Sequence, residues 1–278
     1  MSDSPDTRPA TPPPHEDGHP GSWFVPAWLD DAIALPTFEV IDTRSAQGRL
    51  DQRPKTVTIA DLVLFHGHAC DGFLRGAYAF RALGDVAFPD APFDRTDLQV
   101  VSKNSPCLGD VAAYLTGGRA RFGTHRLDSG LGVGFIVRVS STGATWEVSE
   151  EPGFFPPLIA AWDAALLDEQ LVDAGVVSDD DKAELIAVNE AIQWNWIRTA
   201  LLPSRPADHY RVRKLDDIEL PHPIHAARRS DIANRAFPAP KRFASPYEPG
   251  PDGISPNGVF DVEAPWRQRY LDRPPQSR

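Results

Sequence analysis

Cysteine is scarce in this chain: 278 residues contain two, Cys70 and Cys107. Two thiols cannot build a disulfide scaffold, and in a reducing compartment they point instead to metal binding or catalysis, with a single disulfide as the remaining option. Long apolar runs are missing too. No stretch approaches the roughly 18 apolar residues a spanning helix needs, and the N-terminus lacks a basic-then-apolar leader, so the expectation is a cytoplasmic protein with no membrane partner. Positive charge is in deficit, 28 Lys+Arg against 39 Asp+Glu for a net −11, which argues against nucleic acid because phosphate contacts need a basic footprint. What the chain has in quantity is apolar content, 41%, enough for one large domain or two modest ones.

The two cysteines sit in unusual company. Leu64 to Gly76 reads LFHGHACDGFLRG, with His66, His68 and Cys70 at alternate positions. In an extended segment such residues share one side and converge. Thr58 predicts an N-cap for a helix over Ile59 to Phe65, with Asp61 in its first turn, and Gly72 to Leu83 predicts a second, capped by Asp71 or Gly72, in which Gly76 and Ala77 allow close packing. Cys70 then lies just before a helix N-terminus, which favours its thiolate. Cys107, in NSPCLGD, repeats the arrangement ahead of a helix over Val111 to Leu115, following a strand at Leu98 to Ser102, and Asp110 projects toward the same region.

Downstream, Gly130 to Ser140 and Thr142 to Ser149 predict a β-hairpin. Pro156 to Ala174 and Ser178 to Leu202 predict an antiparallel helix pair, in which Trp194 and Trp196, two residues apart, cannot share a face. A strand is expected at His209 to Arg213. The expected organisation is a disordered arm over 1–21, an α+β core over 22–152 with an aromatic docking segment at Trp23 to Leu35, a helical extension over 153–236, and a Pro-rich strap over 237–278. His15, His19, His222 and His225 read as surface residues.

Imidazole and thiolate ligands favour zinc first, with iron, nickel or copper as alternatives, over magnesium or calcium. His66 or His68 with Cys70 and Cys107 would leave one coordination position open, and the other histidine would orient the ligands or transfer protons. The assigned roles are His66, His68, Cys70 and Cys107 as metal ligands, His66, Asp71 and Asp110 in proton transfer, and Lys103, Asn104, Arg121 and His125 around a small anionic substrate. A metalloenzyme is the first reading, a metal-binding accessory or carrier the second, a metal-free redox dithiol the third.

These residues also carry a resemblance. His66, Gly67, His68, Cys70 and Gly72, then Asn104, Cys107 and Asp110, then Thr116 and Gly117, Phe122 and Gly123, then Asp128 and Gly130 follow the order and spacing of the FmdE-like family of formylmethanofuran dehydrogenase proteins across residues 58 to 149. Asp71 replaces that motif's proline, the glycine-rich turn reads Arg121 to His125, and the four-cysteine ribbon of some relatives is missing. The resemblance implies an α+β core whose His and Cys residues line a metal-binding cleft, often in a homodimer.

Overall fold

A computed structural model of the chain describes residues 29, 35–43, 48–166, 178–216, 232 and 235. The expected arm, most of the docking segment, the four outlying histidines and the strap lie outside these residues. The architecture is the mixed α+β one the sequence predicts, with two sheets. Strands β1 (Phe38–Thr43), β2 (Leu50–Val57) and β3 (Phe93–Asp94) form a small sheet in the order β2-β1-β3. Strands β4 (Leu98–Ser102), β5 (His125–Leu127), β6 (Gly134–Val139), β7 (Thr145–Glu150) and β8 (Tyr210–Leu215) form a larger one in the order β5-β4-β6-β7-β8, antiparallel except where β5 runs parallel to β4.

Three helices frame the chemistry: α1 (Ile59–His66), α2 (Asp71–Ala87) and α3 (Pro106–Thr116). Thr58 caps α1 through a reciprocal box, its Oγ1 accepting from the Asp61 N–H while Asp61 accepts from the Thr58 N–H at 2.8 Å. Ser105 caps α3 through the Leu108 N–H, and Pro106 opens that helix where its missing N–H costs nothing. Helix α2 is the spine of the core: Phe73, Leu74, Ala77, Tyr78, Phe80 and Leu83 are all buried. A Cβ on Gly76 would stand 2.9 Å from the Leu108 side chain, so the small residue lets α3 cross close to α2, as the sequence predicts.

Helices α4 (Pro157–Leu166) and α5 (Asp179–Trp196) pack on each other, joined by Asn189 Nδ2 donating to Asp163 at 2.5 Å. The expected extension of α4 to Ala174 lies outside the described residues. A π-helical turn, Ile197–Leu201, follows α5, and the short α6 (Pro206–His209) leads into β8. Trp196 packs edge-on against Phe154 and Phe155, and Trp194 is partly buried against the same core. Strand β8, which falls within the expected 153–236 extension, hydrogen-bonds along β7 and completes the larger sheet. Among the described residues no helix is long and apolar enough to cross a membrane.

Candidate metal centre

The ligand stretch is not extended. His66 is the last residue of α1, Gly67 reverses the chain in the left-handed region at φ 102, its N–H bonding to Val63 O at 2.7 Å, and Cys70 is the N-cap of α2. That φ favours glycine. Convergence therefore comes from a helix end meeting a helix start, and it selects His66 and Cys70 while turning His68 outward. Asp71 is the first residue of α2 and not its cap. Cys107 lies inside the first turn of α3, which begins earlier than its apolar pattern suggests because Ser105 and Pro106 start it.

One donor atom each from His66, Cys70 and Cys107 lie within 4.8 Å of one another. The cysteines are free, with Sγ atoms 3.4 Å apart, and His66 Nε2 stands 4.0 Å from Cys70 Sγ. Two thiolates on one tetrahedral zinc stand about 3.8 Å apart, given Zn–S bonds near 2.3 Å, so small movements accommodate an ion. The opposite ring nitrogen of His66, Nδ1, bonds Asp110 Oδ2 at 2.8 Å, and the ring stacks on Phe73 with its side chain 3% exposed. A carboxylate that accepts the Nδ1 proton leaves the Nε2 lone pair facing the sulfurs, the arrangement that orients metal-binding histidines. The donor set and its orientation fit a thiophilic transition metal. Asp110→Asn is expected to lower metal affinity by about 10–100-fold at unchanged thermal stability, as measured by chelator competition.

The helices do not acidify both thiols alike. The pair shares a proton: hydrogen bonding from Cys70 and then the His66 charge bring Cys107 from an ordinary 9.0 to about 6, against burial. The Cys70 thiol is pushed up by that same hydrogen bond and by burial, which outweigh the Phe73 N–H. In metal-free protein, ultraviolet thiolate absorbance should rise by one thiolate through about pH 6, and the rise should vanish in Cys107→Ser. Metal binding needs both sulfurs deprotonated, so affinity should fall more steeply once the pH drops below that of the Cys107 titration.

The other assigned residues lie outside this donor cluster. His68 is exposed, its ring 4.6 Å from that of His66, and burial followed by His66 lowers its pKa. His125 is buried, with Nε2 2.8 Å from Ser102 Oγ; burial lowers its pKa and the Asp110 charge opposes this. Lys103, Asn104 and Arg121 are exposed and make no side-chain hydrogen bond or ion pair among the described residues; Lys103 and Asn104 immediately precede the cap of α3.

Sequence reasoning missed the support behind Cys70. Asp71 pairs with Arg75 at 3.1 Å, and Arg75 makes a two-pronged contact with Glu150, Nε–Oε2 2.8 Å and Nη2–Oε1 2.5 Å, while lying 3.9 Å over the Phe155 ring. Tyr210 Oη donates to Glu150 at 3.3 Å. The Asp71–Arg75 half was available from its i,i+4 spacing on a helix; Glu150 carries no local signal. A cavity of about 370 Å³, lined by Phe38, Phe80, Arg81, Phe88 and Phe93 among others, lies along the far half of α2, and none of the His/Cys donors lines it.

Comparison with known proteins follows the same residues. Residues 65–193 match the model of the FmdE family, described as "FmdE, Molybdenum formylmethanofuran dehydrogenase operon". Among solved structures, a tungsten formylmethanofuran dehydrogenase FmdE-like protein from Syntrophus aciditrophicus is similar at 16% identity, over 58% of this chain and 71% of that one, with a TM-score of 0.34. No curated protein matches the chain.

Proposed function

We propose that this chain, whose residues 65–193 match the FmdE family model, binds one transition metal ion, zinc foremost, through His66, Cys70 and Cys107, and uses the position they leave open for chemistry on a small anionic substrate. The observation that carries the reading is the convergence of three donors with a carboxylate already holding the back of the imidazole. A site built only to staple the fold would be four-coordinate and closed, whereas among the described residues three donors converge.

When bound, the ion supplies Lewis acidity at that open position. Asp110, 2.8 Å from Nδ1, orients the His66 ring so that Nε2 faces the sulfurs. Asp71, tethered by Arg75, places a fixed carboxylate beside Cys70. His68, exposed and beside His66, is the residue suited to carry protons to and from solvent. Lys103, Asn104 and Arg121 are exposed and lack competing partners among the described residues, which leaves them available to an anion.

Reduced, metal-free protein titrated with zinc against a chromophoric chelator should take up one equivalent. His66→Ala should lose that uptake, and His68→Ala should retain it. Uptake that is equal in all three proteins would remove His66 from the ligand set and overturn the assignment.

A further inference from the structure

We propose that the Cys70–Cys107 pair is also an oxidation site: a two-electron oxidant of the peroxide class converts it to an intramolecular disulfide, and this reaction ejects the metal and closes the centre. This inference rests on the metal-binding reading for the ejection step. Disulfide formation itself depends only on the placement of the two thiols.

The geometry supports it from three directions. The Sγ atoms are 3.4 Å apart in the free pair, and a disulfide needs about 2.05 Å, so the sulfurs must close by a little over one ångström. Both cysteines are half-buried and not sealed in the core, which leaves a route for a small oxidant. The backbone around them is firmly held: Cys70 caps α2, Cys107 lies in the first turn of α3, and a Cβ on Gly72 would touch Cys107 Cβ at 3.3 Å and Sγ at 3.4 Å. Gly72 lets Cys107 lie close against the start of α2, two residues from its partner sulfur, and a Cβ there would crowd it.

The reaction balances without a further reagent. One sulfur attacks a peroxide oxygen, the O–O bond breaks, and a sulfenic acid and water result. The second sulfur attacks the sulfenic sulfur, the S–S bond forms, and the sulfenic oxygen leaves as a second water. Two thiols and one peroxide thus give one disulfide and two waters. A disulfide has no thiolate to offer, so the centre falls from three ligands to His66 alone and the ion is lost. Thiol reductants reverse the step.

The test uses the full chain, reduced, in metal-free and zinc-loaded forms, treated with stoichiometric hydrogen peroxide. Intact mass, free-thiol count and zinc release to a chromophoric dye are followed together. The expected result for metal-free protein is loss of two hydrogen masses and both free thiols, reversed by dithiothreitol and lacking in Cys70→Ser and Cys107→Ser. Zinc-loaded protein should react more slowly, with zinc released in step with thiol loss. Gain of oxygen mass on the cysteines without a disulfide, or retention of both thiols in metal-free protein, would overturn the proposal. If the metal-free form closes its disulfide but reduced protein never takes up zinc, the metal reading fails while the oxidation site stands.

Discussion

Cys107→Ser will lower zinc affinity by more than about 100-fold, the upper end of what losing only an outer partner of a metal ligand costs. Three donors converge, and the substitution removes one of the two that define the site as thiophilic. A hydroxyl in its place stays protonated at neutral pH, leaving one histidine and one thiolate. The loss should appear as metal affinity with little change in unfolding temperature. Helix α3 is held by its Ser105 cap and by buried Leu108, Val111, Ala112 and Leu115, none of which depends on the sulfur. A fall in unfolding temperature of metal-free protein comparable to a lost core residue would show instead that Cys107 is chiefly a packing residue.

Glu150→Ala should be strongly destabilising although it removes no metal ligand. The Arg75 and Glu150 side chains are 11% and 8% exposed, and the guanidinium cannot shed its charge. Removing the carboxylate strands that charge with Asp71 alone and leaves the Tyr210 hydroxyl without its acceptor. Breaking a buried pair from one side costs about 3–5 kcal/mol. For a domain of this size that is a fall of about 10 °C in unfolding temperature. The pair as a whole contributes far less, since an apolar replacement of both partners is often neutral. Arg75→Met combined with Glu150→Leu should therefore recover most of the loss, and the double-mutant cycle measures how much. Equal, additive losses would mean that the two residues do not act as a unit.

Much of the fold is legible in the sequence. Strand β4 stands at the limits its apolar run predicts, the reciprocal cap at Thr58 and Asp61 is visible as a spacing, and the β6–β7 hairpin follows from its β-branched and aromatic content. The small sheet is not legible: β2 reads LDQRPKTV, whose polar residues hide a strand that, among the described residues, pairs along β1, and β3 is two residues long. Strand β5 is hidden for the same reason, three residues beside a 3₁₀ turn. At the site, the residue types and the pairing of two distant segments are in the sequence, and the choice between His66 and His68 is not. That choice depends on the left-handed turn at Gly67 and on Asp110 reaching back from α3, which are facts of tertiary placement.

The central claim is that two sulfurs and one imidazole hold a metal. Zinc-edge X-ray absorption on reduced, zinc-loaded protein tests it most directly, because sulfur and nitrogen shells separate by distance. The account predicts two sulfurs near 2.3 Å and a histidine nitrogen at about 2.0–2.1 Å, with a further light-atom ligand at the open position. A first shell of oxygen and nitrogen only, or protein that retains no zinc when fully reduced, would contradict it.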